Sequence, residues 1–115
     1  WHSRDFYEKL MSIELTITNQ DGTSRSFELT KDRTTIGRRR NCDLHVALPS
    51  VAPLHCEIKV RDGLIQLLNR DPDAQTFHNG NAVNSVDLIH EDIVKIGPVE
   101  FTISVKDDET IIRRL

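Results

Sequence analysis

Apolar and polar residues alternate with a period of two along most of this chain. Ile13, Leu15 and Ile17 alternate with Glu14, Thr16 and Thr18, which predicts a half-buried strand. Asn19-Gln20-Asp21-Gly22 is turn chemistry, and Phe27 and Leu29 resume the alternation. Thr34 to Gly37 reads as a third short run, and Leu44, Val46 and Leu48 as a fourth, stopped by Pro49, which has no N–H to give a ladder. Cys56, Ile58 and Val60 alternate with His55, Glu57 and Lys59, and the pattern places His55 on the face opposite Cys56. Asp62-Gly63 predicts a hairpin into Leu64–Leu68. Asn69 to Ala74 is a polar loop with a proline, and Asn79-Gly80 is a second hairpin signal, leading to Ala82, Val83, Val86 and Leu88. Ile93 to Ile96 precedes a Gly97-Pro98 turn, and Val99, Phe101, Ile103 and Val105 give the cleanest alternation of all.

Short strands separated by turn signals every 8–12 residues or so predict an antiparallel sandwich or barrel. No stretch from Ile13 to Val105 keeps a helical period, so the expected class is all-β. Residues 13–105 form the expected domain. Residues 1–12 read as a tag-like or poorly ordered leader, with Met11 a candidate natural start. Residues 106–115 read as a C-terminal extension, either a short helix capped by Asp107 or Asp108 or a linker.

Composition narrows the function more than the fold. A chain of 115 residues with 37% hydrophobic and 29% charged residues has the make-up of one globular domain. The apolar runs are far too short to span a bilayer, so no membrane association is expected. A net charge of -3 gives no reason to expect direct nucleic-acid binding, although Arg38, Arg39 and Arg40 form a local basic cluster beside Lys31 and Arg33. Cys42 and Cys56 lack the density of a disulfide scaffold and read as free thiols, with Cys56 a small buried apolar residue.

Catalytic spacing is absent: there is no G-x-S-x-G, H-E-x-x-H, P-loop or G-x-G-x-x-G motif, so no enzyme and no cofactor is expected. A zinc site built from Cys42, His45, His55, Cys56, His78 and His90 is disfavoured. Adjacent strand residues such as His55 and Cys56 face opposite sides, and zinc needs four converging ligands. What remains is a recognition surface built on loops. The stretch Thr34–Val60 supplies its parts: Gly37-Arg38, where glycine permits close approach and arginine offers a charged fork, then a proline-bracketed loop, then His55.

In order along the chain, Ile36-Gly37-Arg38, Cys42-Asp43, Leu48-Pro49, His55, Thr76-Phe77-His78-Asn79-Gly80, Glu91 to Gly97 and Phe101 resemble a forkhead-associated (FHA) domain. The Cys-Asp and Leu-Pro pairs resemble most the FHA domains of DNA-damage-checkpoint mediators, an insect mutator-type mediator among them, and of the nuclear proliferation antigen. The resemblance implies a two-sheet antiparallel β-sandwich whose loops at one end bind phosphothreonine peptides. It also implies a nuclear setting in the DNA-damage response or chromosome maintenance, protein partners, and a homodimer.

Carried over position by position, the resemblance is incomplete. Arg38, Thr76 and Asn79 are in place, with Gly37 and His55 as structural support. The position of a phosphate-binding serine, three before His55, holds Ala52; the basic residue after it is Pro53. The position of a peptide-binding asparagine, two before Thr76, holds Ala74. Charge-assisted hydrogen bonds contribute about 1.5–3 kcal/mol each, against about 8 kcal/mol for micromolar binding. Losing two contacts would thus weaken affinity by roughly two to four decades. The expectation is a vestigial phosphopeptide loop (Arg38, Ser50, Ala52, Ala74, Thr76, Asn79) and binding that is weakened or lost. Ser50 and Arg38 offer an alternative route to phosphate, opposed by Asp71 and Asp73. Val51, Pro53 and Leu54 are apolar residues in an expected exposed loop, and so form a candidate dimer interface.

Overall fold

A computed structural model describes residues 11–19 and 21–107. Eleven strands run in chain order: β1 (Met11–Thr18), β2 (Ser24–Glu28), β3 (Arg33–Gly37), β4 (Leu44–His45), β5 (Cys56–Arg61), β6 (Leu64–Asn69), β7 (Thr76–His78), β8 (Asn81–Val83), β9 (Ser85–Leu88), β10 (Ile93–Ile96) and β11 (Val99–Asp107). They form two sheets, β2-β1-β11-β10-β7-β8 and β4-β3-β5-β6-β9, with every described pairing antiparallel except β3 with β4. The all-β sandwich expected from the alternation is the observed architecture.

The core is the inward half of that alternation. Ile13, Leu15 and Ile17 from β1 and Phe101 and Ile103 from β11 meet Ile36, Cys56, Ile58, Ile65 and Leu67 from the facing sheet. β1 and β11 are paired from Met11↔Asp107 to Thr18↔Glu100. The sandwich therefore includes Met11 and Ser12, which the sequence places in the leader, and Lys106 and Asp107, placed in the extension. The rest of the leader and the predicted tail helix from Asp108 lie outside the described residues. Both predicted hairpins take left-handed backbone at their two turn residues: Asp62 (φ 54°) and Gly63 (φ 80°), Asn79 (φ 49°) and Gly80 (φ 91°). That is the turn whose twist matches its flanking strands.

One expectation needs correction. The fourth run is a strand only over Leu44–His45, because its parallel partner β3 offers only Ile36 and Gly37; beyond it, Leu48 N–H folds back to Val46 O. The face of β5 opposite the core also holds a feature that the alternation does not report. Glu57 lies in the middle of its sheet, opposite Thr35 and Leu68, and its side chain is only 2% exposed. Arg33 donates from Nε to one carboxylate oxygen, and Arg70 Nε approaches the other at 3.5 Å. Alternation assigns a face correctly but cannot register that two long neighbours will lie across it.

The exposure of these partners is unequal. Arg33 and Arg70 are about half exposed and rehydrate if Glu57 is neutralised, whereas Glu57 stays covered and loses its charge partners if both arginines are replaced by apolar side chains of similar length. We predict that Glu57→Gln costs about 1 kcal/mol, the scale of a lost net hydrogen bond. Arg33→Met with Arg70→Met, which keeps the cover and removes the charge partners, should cost about 3–5 kcal/mol, as for a buried charge left alone. Urea unfolding of both variants reads the difference, and equal losses would contradict this account.

Candidate functional site

The loops after β3, β4 and β6 and the β10–β11 turn meet at one end of the sandwich. Their contacts begin at Gly37. A Cβ there would sit 2.3 Å from Pro53 O, so only glycine lets the β4–β5 loop approach this closely. Three bonds then join the β3–β4 loop to it: Arg38 N–H to Ala52 O at 2.9 Å, Arg39 N–H to Pro53 O at 3.1 Å, and Cys42 Sγ to Pro53 O at 3.3 Å. Asp43 turns back to β3, accepting from Thr35 N–H and Oγ1 at 2.9 and 3.0 Å and pairing with Lys31. The Lys31 bond, followed by those from Thr35, holds its carboxyl below the ordinary value. The Cys-Asp pair in the sequence is thus a two-sided anchor for the loop.

His55 carries the second junction. It is 2% exposed, although the alternation assigned it to the face opposite Cys56. The residue precedes β5, where the chain is still in the loop, and its ring fills the space between two loops. Ala52 N–H donates to Nδ1 at 3.1 Å, so the ring proton sits on Nε2 and is donated to Gln75 O at 2.8 Å. The backbone of the same residue adds bonds from its N–H to Ile36 O and from Arg70 N–H to its carbonyl. Beneath it, burial pushes the Cys56 thiol up to about 12, keeping it protonated and unreactive.

Between these loops runs an open groove of about 660 Å³. Arg38 forms one wall, with Nε donating to Val51 O at 3.0 Å while its terminal nitrogens make no hydrogen bond to another described residue. Ser50, Ala52 and Pro53 line it from the β4–β5 loop, and Asp71, Asp73 and Ala74 from the β6–β7 loop. Gly97 and Phe77 also line it. Asn69 shapes the acidic wall: its Nδ2 donates to Asp71 O and Ala74 O, both at 3.0 Å, and its Oδ1 accepts from Thr76 Oγ1 at 2.8 Å.

The structure brings together Arg38, Ser50, Ala52 and Ala74, with Gly37 and His55 behind them. Thr76 and Asn79 do not join them. Thr76 is fully buried, pointing into the core end of β7 with its hydroxyl on Asn69. Asn79 sits at the far end of β7, where its Oδ1 accepts from Ile93 N–H at 2.9 Å and its Nδ2 donates to Asp92 at 3.2 Å. Asp92 also bonds His78 Nε2 at 2.8 Å and Ile89 N–H at 3.0 Å; burial opposes its charge, but these bonds hold the carboxyl below its ordinary value. That cluster locks the β9–β10 connection, remote from the groove. Val51, expected at an exposed interface, is 1% exposed and packs in the core, while Ser50 beside it is exposed. Leu54 is half-buried and only Pro53 of the three is exposed. Asn69 and the Gln75 carbonyl escaped the sequence reading: an asparagine in a polar loop carries no spacing signal, and a backbone carbonyl carries none at all.

Replacing His55 by phenylalanine keeps its volume and removes both bonds. Ala52 N–H and Gln75 C=O would each lose a partner in part-buried contacts, costing together about 1–3 kcal/mol, the scale of two net hydrogen bonds. Thermal and urea unfolding of His55→Phe should show that loss; a variant as stable as the wild type would contradict the brace.

Comparisons with known proteins agree with this geometry. The family model described as inner membrane component of T3SS, cytoplasmic domain, matches residues 18–107. The chain is similar in structure to the FHA domain of CT664 from Chlamydia trachomatis (TM-score 0.75, 14% identity, covering 81% of this chain and 96% of that one). It is similar also to the yeast Dun1 FHA domain, solved with a doubly phosphorylated peptide derived from Rad53 (TM-score 0.70, 24% identity, 85% and 77% covered). A third likeness is the FhaA FHA domain, solved with the intracellular domain of Rv3910 (TM-score 0.73, 22% identity, 80% and 99% covered). No curated protein sequence matches the chain. With its sandwich folded as in FHA domains and residues 18–107 matched, the chain belongs to the family of the inner membrane component of T3SS, cytoplasmic domain.

Proposed function

We propose that this chain is a non-catalytic protein-interaction module that holds an extended peptide in the loop-end groove, with phosphothreonine recognition weakened or lost. The observation that carries the proposal is the pairing of an intact scaffold with methyl groups at its ligand positions. Ala52 and Ala74 line the groove from opposite loops, and both loops are held by His55. The groove's charge supports the same reading. One arginine faces two aspartates there, and a phosphate of charge about -1.5 to -2 is repelled by the second wall as it is drawn to the first. A peptide pairing an acidic side chain with Arg38 and a basic one with Asp71 and Asp73 suits both walls.

The alternative, a working phosphothreonine reader, has Ser50 in its favour, since its hydroxyl lines the groove with Arg38. The setting and assembly of the module are the finer parts of the proposal. Resemblance to checkpoint mediators speaks for a nuclear DNA-damage protein and a homodimer using Pro53 and Leu54. The family description speaks instead for the cytoplasmic side of an inner-membrane protein.

Calorimetric titration separates the two functional readings. A threonine peptide and its phosphothreonine form, carrying flanking Asp and Lys residues, should bind the wild type with affinities within about threefold of each other. The Ala52→Ser, Ala74→Asn variant should prefer the phosphorylated form by roughly two decades, for two contacts restored at about 1.5 kcal/mol each. Phosphate-dependent micromolar binding by the wild type would instead establish the reader. Sedimentation of the same samples should give a dimer mass, and a monomer at micromolar concentration would remove the homodimer.

A further inference from the structure

The groove does not end at Phe77. A second cleft of about 350 Å³ opens on the outer face of the six-stranded sheet, lined by Phe77, Gly80, Ile93, Lys95 and Glu100. Phe77 lines both, as the wall between them. Its position follows from strand parity: Thr76 points into the core, Phe77 points out, and Phe77 lies opposite Lys95, which lies opposite Glu100. Ile93 is two residues further along β10 on the same face, 41% exposed. Ile93 and Phe77 line the same cleft and give it an apolar strip between charged neighbours. By contrast, exposed Leu64 lies at a hairpin in a cleft ringed by charges and unconnected to the groove.

Resting on the peptide-binding reading above, we infer that the bound peptide continues past Phe77 across the outer sheet face and places an apolar side chain against Ile93. Continuity supports this: a chain leaving the groove at Phe77 enters the second cleft directly. Charge supports it too. Lys95 and Glu100 face each other across the strands, so neither sign gains, and contact with Phe77 and Ile93 decides the preference. The register sets the spacing. Ile93 lies roughly 7 Å beyond Phe77 along the strands, at about 3.4 Å per residue. An extended ligand covers that distance in two residues, so the selected peptide carries an apolar residue two positions beyond the one covering Phe77. The occupant is therefore an extended segment with mixed charge in the groove and an aliphatic or aromatic anchor outside it.

Panning a phage-displayed library of random 12-residue peptides on the immobilised wild-type domain provides the probes. Enriched peptides are then synthesised and titrated against the wild type, Ala74→Arg, which fills the groove, and Ile93→Lys, which charges the outer cleft while changing only an exposed side chain. The expected result is a shared apolar position among the peptides, loss of binding with Ala74→Arg, and about tenfold weaker binding with Ile93→Lys. Binding abolished by Ala74→Arg but within twofold of wild type for Ile93→Lys would overturn the extension and leave the groove standing. Peptides insensitive to Ala74→Arg, or no enrichment at all, would overturn the groove and the extension together.

Discussion

One buried imidazole determines whether this domain has a site. His55 accepts from one loop and donates to another, and with Nδ1 taken by Ala52 N–H the proton has only Nε2 to occupy. Both loops are thereby fixed relative to each other by a ring that water does not reach. Gly37 sets the matching constraint from the other side, because the approach of Pro53 O leaves no room for a Cβ. The walls of the groove, Arg38 on one loop and Asp71 with Asp73 on another, then take their detail from local bonds, Arg38 on Val51 O and Asn69 on Asp71 O and Ala74 O.

This division is the physical basis on which the proposal separates scaffold from ligand chemistry. Residues that hold the loops are bonded inward: Asp43 to Thr35, Asn69 to Asp71 and Ala74, His55 to both sides. Residues at the open ligand positions carry no such obligation, so alanine at 52 and 74 leaves the fold undisturbed while removing hydrogen-bonding capacity. A likeness in fold to domains solved with phosphorylated peptides therefore does not carry phosphate binding across. In a net-acidic groove the physical preference is for a peptide of mixed charge.

Much of the fold was legible because strand alternation and turn chemistry are local. Asp62-Gly63 and Asn79-Gly80 adopted the left-handed turns their residues favour, and β1 and β11 followed their alternating faces. What was not legible depends on distant neighbours. Glu57 is covered by two arginines, one on β3 and one just past the end of β6. Val51 is in the core because a loop, which has no fixed period, turned it inward. Glu91 takes φ 75° without glycine, held by its N–H on Ile103 O and by the Asp92 cluster beside it. The placement of the candidate residues was legible in part: Arg38, Ser50, Ala52 and Ala74 share one groove, while Thr76 and Asn79 serve β7 and its turn. Asn69 and Phe77 gained importance only once their partners were in view.

The central claim is that the loop-end groove, braced by His55, is where this domain meets its partner. The most direct test is an amide chemical-shift map of the isotope-labelled domain titrated with a panned peptide. The account predicts saturating shifts at Arg38, Ser50, Ala52, Ala74 and Phe77. Shifts confined to the outer face of the other sheet, at Lys59, Gln66 and Asp87, with the groove amides unmoved, would contradict it.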